Sequence, residues 1–138
     1  MISKNIKSKI MVFLKLRNHQ VWDSLNEILN NIDTSVLVKK HLELSDYKIN
    51  GYWDDQDEYY EEIILPRTLE ARLISSSVGI ANNKRFLQMR FSLSTYNEKT
   101  SRGDSFGELL LIYNEDLEFI DENWDLDINS PFIEVKRA

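Results

Sequence analysis

Residues 86–96 read FLQMRFSLSTY and give the clearest strand pattern in this chain. Apolar and polar side chains alternate along the run, which places Leu87, Met89, Phe91 and Leu93 on one face. Because successive side chains of a strand point to opposite faces, the run predicts a strand with one buried and one solvent-facing side. Such alternation is typical of an antiparallel sheet.

Weaker strand patterns lie on both sides of this run. They cover residues 69–80, 106–113 and 117–121, and Pro131 limits a final strand to 132–135. Residues with turn chemistry separate them, namely Asn50-Gly51, Asn82-Asn83, the polar stretch 97–104 and Asn114-Glu115-Asp116. These patterns predict a mostly antiparallel sheet of about four to five strands within residues 47–135.

The first third of the chain has helical spacing. Apolar residues recur at steps of three, four and seven, namely Ile10, Phe13, Leu14, Val21, Leu25, Ile28, Leu29 and Ile32. A break near residues 17–20 suggests two helices, and the apolar block 10–16 suits either a helix or a buried strand. Residues 36–44 are ambiguous. We expect an α+β fold, with N-terminal helices over about 6–45 packed on the sheet.

Length and composition favour one domain over residues 1–138. The chain has no cysteine, which excludes a disulfide scaffold and a thiolate metal site and fits a reducing cytoplasm. The apolar run 10–14 is shorter than the core of a signal peptide, roughly 7–15 residues. No run approaches the ~20 apolar residues of a membrane helix. The sequence therefore predicts a cytoplasmic protein without a membrane partner.

The formal net charge of −6 is unevenly distributed. One acidic segment, without any base, comprises Asp54, Asp55, Asp57, Glu58, Glu61 and Glu62. A second comprises Glu115, Asp116, Glu118, Asp121, Glu122, Asp125 and Asp127. Residues 1–22, in contrast, carry Lys and Arg but no acid. Since acidic surfaces repel phosphate, the charge argues against nucleic acid and favours a partner protein with a basic surface.

Aromatic residues flank the first acidic segment, namely Tyr52, Trp53, Tyr59 and Tyr60. Tyr and Trp are enriched at interface hot spots because they bury a large area and keep a polar tip. We therefore predict a partner-binding surface over residues 54–62, with Tyr59 or Tyr60 as anchors and Trp53 in the core. The second segment is the rival surface. A uniformly solvated face is the alternative interpretation of either segment.

Two motifs suggest other chemistry. Gly103-Asp104-Ser105-Phe106-Gly107 matches a nucleophile elbow and resembles the block of GDS-type esterases. The elbow needs a strand before the serine and a helix after it, whereas an apolar, strand-like run follows here. Both histidines, His19 and His41, precede the serine, while both families place their histidine downstream. A hairpin loop is the favoured interpretation, and an esterase at Ser105 is a remote alternative.

The second motif, residues 121–127, resembles the first half of an EF-hand loop. Leu126 stands where the loop needs glycine, and Phe132 stands where it needs glutamate. Calcium is therefore not expected, and neither histidine has metal-ligand spacing. The sequence predicts no metal, no cofactor and no catalytic residue.

In size, acidity and its C-terminal block, residues 106–124, the chain resembles bacterial toxin immunity proteins, particularly those of contact-dependent growth inhibition. The block reads FGELLLIYNEDLEFIDENW and has the strand–turn–strand pattern common in that class. The resemblance implies a protein that binds one cognate toxin, in many cases a nuclease, and blocks its active site. We expect a monomer when free. A small acidic secretion chaperone, which usually dimerises, is the alternative.

Overall fold

The computed structural model describes residues 16–137. Their helices are α1, Val21–Asn30, and α2, Thr34–Leu44. The strands are β1, Lys48–Trp53; β2, Tyr59–Ile64; β3, Glu70–Ala81; β4, Lys84–Asn97; β5, Arg102–Asn114; β6, Phe119–Leu126; and β7, Glu134–Arg137. The predicted α+β class is confirmed. The question of helix or strand over residues 10–16 lies outside the described residues, apart from Leu16.

The chain divides into two compact units between Asp33 and Thr34. Helix α1 belongs to the first unit, and none of its residues is buried. The Val21 N–H, at its start, donates to Nδ1 of His19 at 2.9 Å, and Nε1 of Trp22 donates to the Leu16 carbonyl at 2.7 Å. These bonds fix the first turn, where backbone donors lack partners within the helix. The single domain over residues 1–138 stays a prediction.

The larger sheet of the second unit is antiparallel, in the order β3-β4-β5-β6. Its buried face contains the four apolar residues of the 86–96 run, which confirms that alternation, together with Phe106, Leu109 and Leu111 of β5. Burying side chains of this size contributes roughly 1.5–3 kcal/mol each. Asn82 and Asn83 form the β3–β4 turn with φ of 51° and 62°, as their turn chemistry predicts.

The strands of this sheet are longer than the sequence pattern suggested. Strand β4 continues to Asn97, which pairs with Arg102, so the predicted loop 97–104 shrinks to residues 98–101. The Asn97 side-chain amide donates to Asp104 at 2.7 Å across the hairpin. Polar cross-strand bonds of this kind extend the ladder without apolar alternation, which explains why the polar stretch looked like a loop.

The smaller sheet has the order β1-β2-β7, so two sheets replace the single sheet of about four to five strands. The predicted turn at Asn50-Gly51 is wrong, because both residues lie inside β1. Gly51, at φ 81°, instead interrupts the alternation of β1, a change that we call the pleat change. Ile49 and Tyr52, which are three positions apart and would face opposite sides of a regular strand, are therefore both buried. The turn that joins β1 to β2 comprises residues 54–58.

Helix α2 packs on the larger sheet through Val38 and Leu42, which are 3% and 2% exposed. Nε2 of His41 forms a 2.5 Å hydrogen bond with the Glu122 carboxylate on β6. The two sheets meet where the buried hydroxyl of Tyr52 accepts the Leu126 N–H at 3.0 Å. This bond joins β1 to β6. Within residues 16–137, no helix is long and apolar enough to cross a membrane.

Candidate protein-binding surface

The hairpin tip, which we define as residues 53–59, is organised by Asp54. Its Oδ1 accepts the backbone N–H groups of Gln56 and Glu58, both at 2.9 Å, and its Oδ2 accepts the Tyr60 hydroxyl at 3.0 Å. The bond from the Glu58 N–H is the main reason that the pKa of Asp54 lies below its ordinary value. Asp54 therefore closes the turn and directs its charge inward.

Tyr60 is 2% exposed and belongs to the core. Its hydroxyl donates to Asp54 and, at 3.1 Å, to Glu58, while the Arg137 guanidinium lies 5.5 Å from the ring centre. Burial, followed by the two carboxylates, raises the pKa of Tyr60 to about 12. The proposed anchor role of Tyr60 is corrected accordingly, since a ring enclosed in this way cannot enter a partner's pocket.

Trp53 and Tyr59 form an exposed aromatic pair at the base of the tip. They are cross-strand partners, 64% and 42% exposed, with ring centres 5.0 Å apart. The prediction that Trp53 lies in the core is wrong, because the pleat change at Gly51 turns Tyr52 inward instead. A Cβ at Gly51 would lie 3.1 Å from the Tyr59 hydroxyl, so glycine also makes room for this ring.

The negative charge of the first segment is only partly neutralised. Glu58 pairs with Arg137 at 3.6 Å, and Glu62 pairs with Lys136 at 3.3 Å. Both cations belong to β7. Asp54 is bonded within the turn. The other three carboxylates, Asp55, Asp57 and Glu61, are exposed and form no ion pair within residues 16–137. Three negative charges thus remain beside the exposed aromatic pair.

The second acidic segment is divided by the fold. Glu115, Asp116 and Glu118 lie at or beside the β5–β6 turn, where Arg85 pairs with Glu115 at 3.4 Å and the Asn114 amide donates to Glu118 at 3.4 Å. At ~3.3 Å per residue, β6 carries the chain on the order of 25 Å from this turn to Leu126. The turn is therefore remote from the junction of the two sheets.

The β6 part of this segment lies closer to the hairpin tip. Glu122 is bound to His41, and the Oδ1 of Asp121 accepts the Glu122 N–H at 2.8 Å. The His41 bond is the main reason that the pKa of Glu122 is lowered. Residues 121 and 122 are thus held in place by contacts within the fold.

The two acidic segments converge at Tyr52. Burial is the main cause that raises the pKa of its phenol, and the charges of Asp125, Asp54 and Asp55 add to the rise. Asp125 comes from the second segment and the other two from the first. The bond between Tyr52 and Leu126 thus brings the start of the first segment and the end of the second to the same junction of β1 and β6.

A groove of about 460 Å³ opens at this junction, and we call it the edge groove. The β1 side is formed by residues 48–53, including Trp53, and the β6 side by Glu122, Asn123 and Trp124. Nε1 of Trp124 is buried, and the indole contributes to the lowered pKa of the neighbouring Glu122. Sequence reasoning missed this groove, because no local pattern places β1 beside β6.

The two motifs adopt structures other than those their sequences suggest. Ser105 lies inside β5, paired with Ser94, and the chain continues as a strand through Gly107. The turn into a helix that a nucleophile elbow requires is not formed at Ser105, and the hairpin-loop interpretation is also wrong. Residues 121–126 lie in extended β6. Among residues 16–137, no group of three or more His, Asp or Glu side chains is placed to hold a metal ion.

No protein-family model, no curated protein and no solved structure matches this chain. What the surface does is therefore inferred from its geometry and charge.

Proposed function

We propose that this chain is an immunity protein that binds a cognate toxin domain in the cytoplasm and neutralises it. One observation supports the proposal above all. The β1–β2 hairpin presents Trp53 and Tyr59 together with the carboxylates of Asp55, Asp57 and Glu61, which have no ion pair within the described chain. This combination fits a protein surface that is both apolar and basic.

The two kinds of side chain have different tasks in this proposal. Unpaired charges steer the encounter and can raise the association rate from ~10⁵–10⁶ M⁻¹s⁻¹ toward ~10⁸–10⁹ M⁻¹s⁻¹ at low salt. The aromatic pair supplies apolar contact area, and hot-spot residues of this type typically contribute about 2 kcal/mol or more. A nuclease toxin has a basic substrate groove, so the negative surface would occupy the place of phosphate.

The first experiment identifies the partner. The gene just upstream is expected to encode a toxin, which is expressed with and without this protein and tested for growth arrest and for binding. Growth rescue together with a complex in gel filtration supports the proposal. A neighbour protein that neither arrests growth nor binds the chain contradicts it.

The second experiment tests the surface with matched variants. The variant Asp55→Asn, Asp57→Asn, Glu61→Gln removes three charges and takes the formal net charge from −6 to −3. The control Glu70→Gln, Glu98→Gln, Glu134→Gln makes the same change at exposed positions elsewhere. We expect the first variant alone to slow association with the toxin about tenfold at low salt and to flatten the salt dependence. Equal effects of the two variants would show that only net charge matters.

A further inference from the structure

The edge groove separates two strand edges that have no neighbouring strand within the described chain. β1 is the outer strand of the smaller sheet and β6 is the outer strand of the larger one. The volume of about 460 Å³ falls in the range of roughly 300–1,000 Å³ that is common for ligand sites. The groove is therefore large enough for a short extended segment of another chain.

The backbone of β6 is oriented to receive such a segment. The Leu126 N–H points away from β5, because it donates to Tyr52 at 3.0 Å. In an antiparallel ladder, alternate residues direct both of their backbone groups to the same edge. Trp124, two residues earlier, therefore directs its N–H and C=O toward the groove. The Glu122 N–H, two residues earlier again, is occupied by the Asp121 side chain.

The charge around the groove indicates the chemistry of the occupant. Glu122 forms part of the β6 side. Beside the groove, Asp125 directly follows the lining residue Trp124, and Asp55 lies two residues after the lining residue Trp53; both carboxylates are exposed. The cation of the lining is Lys48, which lies 3.9 Å from Asp46. Negative charge thus predominates, and it complements lysine or arginine side chains.

We propose that the partner inserts an extended segment bearing lysine or arginine into the edge groove and adds a short strand to the outer edge of β6 at Trp124. Strand addition of this kind uses backbone hydrogen bonds for affinity and the flanking side chains for specificity. Here the indoles of Trp53 and Trp124 contact the inserted segment from the two sides. The inference rests on the proposed function and names the way in which the partner is held.

The test uses a short synthetic peptide that alternates valine and lysine, with fluorescence titration and amide hydrogen exchange as readouts. We expect binding that slows exchange at the Trp124 amide. Methylating the backbone nitrogens of the same peptide removes its donors and is expected to lower affinity at least tenfold, whereas a valine–glutamate peptide should not bind. Trp53→Ala should lower affinity about tenfold, and Tyr96→Ala, which removes an aromatic side chain that is similarly exposed at 61%, should not. Equal binding of the methylated peptide, no binding at millimolar concentration, or an unchanged Trp124 amide would overturn the proposal.

The same exchange measurement on the toxin complex separates this inference from the proposed function. A toxin that is bound and neutralised while the Trp124 amide exchanges as in the free protein overturns strand addition alone. Peptide binding at Trp124 without binding or neutralisation of the neighbouring toxin supports the groove and contradicts the immunity function.

Discussion

Removing the Tyr52 hydroxyl tests how the two sheets are joined. Tyr52→Phe keeps the ring and leaves the Leu126 N–H without its acceptor. Tyr52 is 9% exposed and Leu126 is 7% exposed, so water cannot readily replace the lost bond. A buried donor without a partner costs about 1–3 kcal/mol. We expect the free energy of unfolding to fall by about 1–2 kcal/mol, a substantial part of the ~5–15 kcal/mol typical of a domain.

Urea unfolding followed by circular dichroism measures this loss. The midpoint should fall while the slope with urea stays the same, since the surface exposed on unfolding hardly changes. Amide exchange should accelerate at Leu126. Tyr96→Phe is the control, because this side chain is 61% exposed, and its effect should stay within ~0.5 kcal/mol. An unchanged midpoint with a still-protected Leu126 amide would refute the assignment of this bond as the link between β1 and β6.

Three further outcomes follow from the structure. A Cβ at Gly107 would lie 2.5 Å from the Asp125 carbonyl, so Gly107→Ala should lower the free energy of unfolding, measured by urea titration, by about 2 kcal/mol or more. The control is Gly103→Ala, whose Cβ would have its nearest neighbour at 3.8 Å and whose effect should stay within ~0.5 kcal/mol. The Tyr60 phenol ionises earlier in the unfolded chain, so unfolding free energy should fall as pH rises from its ordinary pKa of 10.0 to about 12, and urea titrations of Tyr60→Phe should lack this fall. Because the pKa of Asp54 is lowered in the folded state, its ionised carboxylate stabilises the fold at pH values above the ordinary pKa of 3.8, and this contribution should disappear as pH falls through the folded-state pKa. The variant Asp54→Ala should therefore unfold more easily at neutral pH and lose less stability in acid.

Local pattern was sufficient for the long strands of the larger sheet. The alternation over residues 86–96 reports a face that is buried along its whole length, with Met89, Phe91 and Leu93 fully inaccessible. Asn82-Asn83 is flanked by strand residues that pair directly, so its turn chemistry acts as expected. Where one face is continuously buried, a period of two fixes both the register and the orientation.

Local pattern failed in the smaller sheet. Asn50-Gly51 has the chemistry of a tight turn, yet its positive φ serves a pleat change inside β1. The turn forms instead at residues 54–58, where the Asp54 side chain bonds to two backbone N–H groups. In strands of six residues a single phase change reverses the assignment of every later side chain. The sequence pattern therefore could not show that Trp53 lies outside the core and Tyr60 within it.

The candidate site was predictable in composition and only partly in geometry. The exposure of Asp55, Asp57 and Glu61 follows from charge alone. The approach of Asp55 to Asp125 depends on a contact between Tyr52 and Leu126, which are 74 positions apart in the chain. No spacing or propensity within either segment encodes that contact, so the sequence could not show that the fold brings one end of each segment together.

The pleat change at Gly51 separates the residues that secure the hairpin from those that meet solvent. Tyr52 and Tyr60 hold it from within, and the side chains at 53, 55, 57, 59 and 61 are free of the core. If the hairpin binds a partner as proposed, substitution at these outward positions can alter which partner is recognised without loosening the fold beneath. Under that proposal, proteins built on this hairpin can diversify their targets rapidly, because selection on recognition and selection on folding act on different residues.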